Sequence, residues 1–518
     1  MNLLKPKLVS IKKDVPVKQT LTFSISLSIL FGIFLRIHQY LYNRQLWLDE
    51  AMLSTSIINR SFGGLLQPLE ARQNAPIPFL FLTRLSVEIF GSNEYALRLP
   101  ALIFGLLSLG LFYVVSKKYI SADAVPISVF LFAISNALIY YSSELKQYSG
   151  DVLSVLICLL MVERIHDHRL NTLQAIAWGG LGAILIWFSL PVVFVLASGG
   201  ICLLLFERKT KIHTLFITFS IWLLSFLSLF YLFINRSLAN EGLKNSWTAK
   251  DYFAPIPFLS PLNETLRWYL TTFQNIFVSP GGFASYELAG VLFLAGCWLL
   301  LKKRHKYRLL VLLLPIVFAL LASMLKQYIF TTRVEYVQGG RLVLFLLPAI
   351  LLLVSEGLEY FKLRTHKIIF IWMLILLLLH PLKISLIHVK NPRIGENVKP
   401  VIEYVFDNSE EPDKIYLHPR IKHQFWYYKN LLREQINLDV LEGVRDRDGF
   451  VHDIRGLDNH PRIWFLFSYT LNDDKLEKDS FLSQVNRRGC QLDAIEVEGA
   501  SAYLYDLSQT QCSISRHS

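Results

Sequence analysis

Charge is what this sequence has least of. Only 18% of its 518 residues are Asp, Glu, Lys or Arg, where a soluble domain carries about 25%. Hydrophobic residues make up 53%. A chain this apolar cannot hide its surface in a water-soluble core, which excludes a soluble enzyme and a disordered protein. Cysteine is sparse too, and five in the whole chain cannot form a disulfide scaffold. No internal repeat or low-complexity stretch is present. A Walker loop, a dinucleotide glycine pattern and a Cys/His metal spacing are all missing, so energy from ATP is not indicated.

The charge that is present is unevenly divided. Residues 393–518 hold 16 Lys and Arg against 21 Asp and Glu, a net of −5, and residues 1–392 hold the remaining 36 against 19, a net of +17. The cationic excess lies in short loops between apolar runs. A nucleic-acid binder would cluster its cations on one folded face, so this pattern reads as membrane topology and no nucleic-acid partner is expected.

A membrane span needs roughly 20 apolar residues. The sequence offers eleven candidates, at about 21–41, 98–116, 124–142, 147–163, 172–188, 190–206, 212–234, 286–301, 308–325, 341–360 and 367–387. The first lacks a small-residue cleavage site and is read as a span, not a cleaved signal. The 13-residue run Pro78 to Phe90 carries Arg84 and Glu88 and reads as an interfacial amphipathic helix. With the N-terminus inside, cations from Lys5–Lys18, Lys117, Lys118, Arg164, Lys209, Lys303 and Lys362 all fall on the inner side, as the positive-inside rule requires. Counting 78–90 as a span would invert every later loop.

The expected fold class is therefore an all-α polytopic membrane protein of about eleven transmembrane helices, with interfacial helices and a small C-terminal α/β domain outside. The expected domains are a cytoplasmic segment 1–20, a transmembrane domain 21–390 and an extracytoplasmic domain 391–518. In the tail, 414–418, 462–467 and 502–506 read as strands, and 423–434 and 474–488 as helices. Cys490 and Cys512 could bridge in an oxidising compartment; two free thiols is the alternative. Cys158, Cys202 and Cys297 fall inside spans and read as packing residues.

Three outer segments could carry chemistry. The first is Leu46-Trp47-Leu48-Asp49-Glu50, just past span one. Adjacent carboxylates in a partly dry cleft can serve as a base; an ordinary acidic helix N-terminus with Trp47 as an interfacial anchor is the plain alternative. The second is 140–151, where Tyr141, Glu144, Tyr148 and Asp151 would form one polar stripe if the segment were helical. Lys146 is among few outer cations near the membrane and could meet a lipid phosphate, or the stretch could be a snorkelling helix end. The third is 326–341, with Lys326, Arg333 and Arg341 against the topology trend. It suits phosphate recognition and span anchoring equally. The loop 235–285 adds aromatics such as Trp247, Trp268 and Tyr269, which pack on sugars, on isoprenoid chains or on each other.

An aromatic-x-Asp-Glu after span one, an interfacial helix, Arg98-Leu-Pro-Ala opening span two and Tyr-Tyr-Ser-x-Glu-x-Lys-x-Tyr before span four together resemble the GT-C superfamily of membrane glycosyltransferases. The nearest branch includes protein O-mannosyltransferases and the lipid A aminoarabinose transferase. Gly340-Arg341 with Pro348 resembles its late Arg-to-Pro span. The resemblance implies transfer of a sugar from a polyprenyl-phosphate donor to a glycan, lipid or protein acceptor outside the membrane, with inversion; the lack of a eukaryotic retention signal favours a bacterial inner (plasma) membrane. It implies that Asp49 assists the acceptor hydroxyl and that Glu50 supports it. Lys146 would take the carrier phosphate, and Glu144 acceptor or metal contacts. Tyr148, Asp151, Asn74, Arg333 and Arg341 would be further substrate contacts.

Relatives often carry His-Pro-Pro or a charged pair before the interfacial helix, where this chain has Gln73-Asn74-Ala75-Pro76. Asn74 is a poor metal ligand beside His or Glu, so no metal residue is assigned and a divalent cation stays an open option. The competing readings are a lipid-linked glycan flippase or transporter and a non-catalytic envelope-assembly protein. A transport path predicts charges deep within several spans, whereas Arg36 and Asp151 lie near span ends.

Overall fold

The computed structural model describes residues 14–206, 212–234, 252–257, 259–332, 340–362, 364–432, 439–443, 457, 462–469 and 472–508. The described chain divides into two compact units. One comprises Met1–Gln39, Ala101–Ser143 and Gln147–Asn391; the other comprises Tyr40–Pro100, Glu144–Lys146 and Pro392–Ser518.

The first unit is helical. Across the described residues of both units, six helical segments are long and apolar enough to cross a membrane: Thr22–Leu41, Glu94–Tyr119, Ile212–Phe233, Lys306–Met324, Arg341–Lys362 and Lys367–Lys390. These match six of the eleven expected spans. The others are shorter helices, such as Thr172–Phe188 and Val192–Phe206, or helices with more charge, such as Tyr148–Asp167. The chain is a multi-pass membrane protein.

The expected span 124–142 is not one helix. It is Val125–Ile134 followed by Asn136–Tyr141, with an extended residue at Ser135 (φ −62°, ψ 113°). A break in an apolar environment leaves carbonyls that must find donors. Arg36 supplies them, donating to Ala133 O at 3.1 Å and to Phe132 O at 3.3 Å, while it also donates to Gly32 O of its own helix at 3.0 Å. The expected polar stripe through 141–151 is also absent. The helix ends at Tyr141 and the next starts at Tyr148. The hydroxyls of Ser142 and Ser143 turn back onto Ile139 O and Tyr140 O, at 2.6 and 3.1 Å, which favours termination over propagation.

The second unit joins a helical part to a mixed sheet. Its helices α1 (Leu48–Asn59) and α2 (Ile77–Phe90) precede the tail. The expected amphipathic helix is α2, and its Arg84 donates to Ile57 O at 3.0 Å, satisfying a carbonyl at the end of α1. The tail opens with α3 (Val398–Asn408), then β1 (Lys414–Leu417), α4 (Lys422–Leu432), β2 (Asp439–Glu442), β3 (Arg462–Ser468), α5 (Asn472–Val485), β4 (Cys490–Val497) and β5 (Ala500–Asp506). The strand order is β2-β1-β3-β5-β4. β1 is parallel to β2 and β3; β5 is antiparallel to β3 and β4.

Alternation along β3 explains the layers. Ile463, Phe465 and Phe467 face a cluster with Tyr416, Phe481, Tyr503 and Tyr505. On α3, Val398, Val401, Ile402, Val405 and Phe406 are buried at helical spacing, and Tyr404 meets Trp464 edge-on at 6.1 Å. The three expected strands are present, and β2, β4 and α3 are additions to the sequence reading. Cys490 is disulfide-bonded; Cys512, the partner the sequence offers, lies outside the described residues, and Cys158, Cys202 and Cys297 are free thiols.

Candidate active site

The Asp49-Glu50 pair sits in the first turn of α1, with Trp47 as the N-cap. Acidic residues favour that position because the first-turn N–H groups and the helix dipole attract negative charge. The two carboxylates have different surroundings. Glu50 is fully buried and Asp49 is half-buried.

Glu50 is held by Arg98, whose Nε lies 2.8 Å from Oε1 and whose Nη2 lies 2.7 Å from Oε2. Arg44 Nη2 stands 3.9 Å from Oε1, and the backbone N–H of Leu145 donates to Oε1 at 2.7 Å. Burial alone would push the Glu50 carboxyl up, but the Arg98 and Arg44 guanidiniums outweigh it and hold the group below the usual carboxylate range. Arg98 also donates to the carbonyls of Arg44 and of Gln45, the latter at 3.1 Å. One ion pair thus fixes the chain before α1, the first turn of α1 and the turn at Leu145.

Glu144 and Lys146 flank that turn. Trp47 Nε1 donates to Glu144 Oε1 at 3.1 Å. Lys146 Nζ donates to Gln73 Oε1 at 2.7 Å. Both side chains are buried, at 0% and 5% exposure, so their polar atoms sit where water screens them little. Asn74, beside Gln73, is exposed. Asp49, Glu50, Asn74, Glu144 and Lys146 therefore belong to one compact unit, although 97 positions separate Trp47 from Glu144.

Other expected site residues lie in the helical unit. Tyr148 opens its helix and stacks edge-on with Tyr141 at 5.1 Å. Asp151 is buried in the first turn of that helix. Arg341, half-buried, begins a short 3-10 turn after Gly340. Arg333 lies outside the described residues.

Several residues holding the Asp49 loop had no sequence signal. Glu396 accepts the N–H of Leu48 at 2.9 Å, Gln424 Nε2 donates to Leu46 O at 3.2 Å, and the Tyr428 hydroxyl accepts the N–H of Leu46 at 2.8 Å. They come from more than 300 positions away, a distance that periodicity and spacing cannot bridge. Arg98 did carry a signal, as a charged residue in the first turn of an apolar span. Among the described residues, no group of three or more His, Cys, Asp or Glu could hold a metal ion.

Residues 74–235 match the family model described as dolichyl-phosphate-mannose-protein mannosyltransferase. Among curated proteins no sequence matches the chain. Among solved structures, ArnT from Cupriavidus metallidurans in the apo state is similar with a TM-score of 0.56 at 11% identity, over 94% of this chain and 98% of that one. The same protein bound to undecaprenyl phosphate gives 0.54 at 10% identity, over 92% and 98%. The apo oligosaccharyltransferase from Archaeoglobus fulgidus gives 0.54 at 12% identity, over 96% and 75%. At such identities the likeness is one of fold.

Proposed function

We propose that this chain, a multi-pass membrane protein with the fold of the GT-C glycosyltransferases, transfers a sugar from a polyprenyl-phosphate donor to an acceptor hydroxyl on the extracytoplasmic side. The observation that carries the reading is the cluster around α1. A half-buried Asp49 is fixed beside a buried carboxylate–guanidinium clamp, and the same clamp holds the turn bearing Glu144 and Lys146. The match of residues 74–235 to a mannosyltransferase family that uses a dolichyl-phosphate sugar supports it.

In this scheme Asp49 accepts the proton of the acceptor hydroxyl as its oxygen attacks the anomeric carbon. The bond from that carbon to the phosphate oxygen breaks, and polyprenyl phosphate leaves with the electron pair. Lys146 stabilises the growing charge on the leaving oxygen, the kind of preorganised electrostatic contact that lowers such barriers most. Direct displacement inverts the anomeric centre. Glu50 works through position: its oxygens are engaged by Arg98 and Leu145. Glu144, Asn74, Tyr148, Asp151, Arg333 and Arg341 are proposed as acceptor or carrier contacts. The disulfide at Cys490 and the inner-side cations support an extracytoplasmic tail in an oxidising compartment.

Mass spectrometry of envelope glycans tests the reading in cells carrying wild type, a deletion, or Asp49→Asn at matched abundance. The expected result is loss of one defined sugar increment in both mutant strains, with its polyprenyl-phosphate precursor accumulating. Wild-type glycans from Asp49→Asn, with altered glycans in the deletion, would overturn the assigned base.

A further inference from the structure

The loop that delivers Asp49 is not held by its own neighbours alone. Three side chains from the tail take its backbone. Leu48 N–H goes to Glu396, Leu46 N–H goes to Tyr428, and Leu46 O receives Gln424. Gln424 and Tyr428 stand one helical turn apart on α4 and so share a face. Gln424 Nε2 also donates to Glu396 Oε2, which ties two of the three together. Glu396 and Gln424 are completely buried, and Arg420 Nη2 stands 3.9 Å from the other Glu396 oxygen.

Behind Glu396 the grip continues into the sheet. Asn397 N–H donates to Glu498 O at 2.9 Å, in the turn between β4 and β5. Gln45 closes the other side, donating to Asn397 Oδ1 and accepting the N–H of Lys399 at 2.5 Å. A Cβ on Gly395 would stand 3.3 Å from the Trp47 Cβ, so the linker runs tightly along the N-cap of α1. Residues 45–48 thus lie in a cradle of fixed tail groups. A buried carboxylate left without donors is costly; Glu396 turns Oε2 to the N–H of Leu48, the residue immediately before Asp49, and to Gln424, while Oε1 faces Arg420.

We propose that Glu396 is a positioning residue of the transfer reaction: with Gln424 and Tyr428 it sets the backbone from which Asp49 projects, making the tail a working part of the active centre. The inference rests on the reading of Asp49 as the base. A displacement of a reacting group by about 1 Å can cost about a hundredfold in rate, so the effect belongs in turnover and not in carrier binding.

The test uses the full-length protein and two readouts. One is the rate of the glycan increment in a complemented deletion strain at matched abundance. The other is binding of undecaprenyl phosphate to the purified protein. Glu396→Ala is expected to lower transfer about tenfold or more while carrier affinity stays within about twofold. Glu396→Gln keeps an oxygen for the Leu48 N–H and is expected to restore most of the rate. Tyr428→Phe, which changes only a hydroxyl, is expected to lower transfer less, by about threefold, and guards against misfolding of the first variant. Equal transfer by wild type, Glu396→Ala and Tyr428→Phe, with Asp49→Asn inactive, overturns the inference alone. So does a parallel fall in carrier affinity in Glu396→Ala. If Asp49→Asn transfers like wild type, the base assignment beneath it fails and the inference falls with it.

Discussion

Arg98 grips both oxygens of Glu50, from Nε at 2.8 Å and from Nη2 at 2.7 Å, with both side chains out of water. The pair connects the first turn of α1 to a residue 48 positions later. Its geometry is the fork-to-fork arrangement that makes guanidinium–carboxylate pairs both strong and directional.

Breaking a buried pair by removing one partner leaves an uncompensated charge and costs about 3–5 kcal/mol. Arg98→Leu and Glu50→Leu are each expected to lower the unfolding temperature of the detergent-solubilised protein strongly. Arg98→Lys is expected to be nearly as damaging, because an ammonium cannot span both oxygens and still reach the carbonyls of Arg44 and Gln45. The double leucine variant should lose less than the sum of the singles. Thermal melts of the four proteins check this, and additive losses would contradict the coupling.

The same pair sets an acid limit. The Glu50 carboxyl lies below its ordinary value of 4.5 in the folded protein. A carboxyl with a depressed folded pKa contributes stability that is fully present above the unfolded value and is lost as pH falls through the folded one. Melting temperature should therefore be flat between about pH 7 and pH 5 for this contribution and fall below it. In Glu50→Gln the acid-side slope should be shallower. Equal slopes in the two proteins would remove Glu50 from the acid transition.

Lys146 offers a separate test of the carrier assignment. Its Nζ donates to Gln73 Oε1 at 2.7 Å, and this contact orients the ammonium. A charge-assisted hydrogen bond to phosphate is worth about 1.5–3 kcal/mol, so Lys146→Met should weaken undecaprenyl phosphate binding by about 10–100-fold. Gln73→Ala should weaken it less, through lost orientation. Unchanged binding in Lys146→Met would move the phosphate contact elsewhere, with Arg341 the next candidate.

How much of this could be read in the sequence depended on distance along the chain. Apolar length located the helices, and short runs rich in aromatic and branched apolar residues located β1, β3 and β5, because both signals are local. The Asp49-Glu50 pair and Lys146 were visible as polar residues set against apolar neighbours. The break at Ser135 was not visible, because an apolar run looks continuous to hydropathy; its cause is a side chain about one hundred positions away, Arg36, which satisfies the freed carbonyls. The stripe through Tyr141, Glu144, Tyr148 and Asp151 failed for a local reason that spacing ignores, two serines bonding back to the preceding turn. The role of Glu396 was illegible altogether, since its partner is a backbone N–H 348 positions earlier.

The helical unit makes a prediction of its own at a contact between Tyr286–Lys302 and Leu347–Lys362. A Cβ on Gly357 would stand 1.8 Å from Leu292 O, and one on Gly296 would stand 2.0 Å from Leu353 O. Each glycine thus admits the carbonyl of the facing helix, the close backbone approach by which small residues pack helices where lipid supplies no hydrophobic drive. Backbone atoms cannot step aside as a flexible side chain can, so Gly357→Ala must push the helices apart along their length. Overpacking of this kind costs about 1–3 kcal/mol or more. Gly357→Ala and Gly296→Ala should each lower the melting temperature and increase proteolysis of the detergent-solubilised protein. Gly110→Ala, where a Cβ meets nothing within 4 Å, should leave both unchanged. Equal stability of all three variants would show that the two helices separate without cost, contrary to the contact.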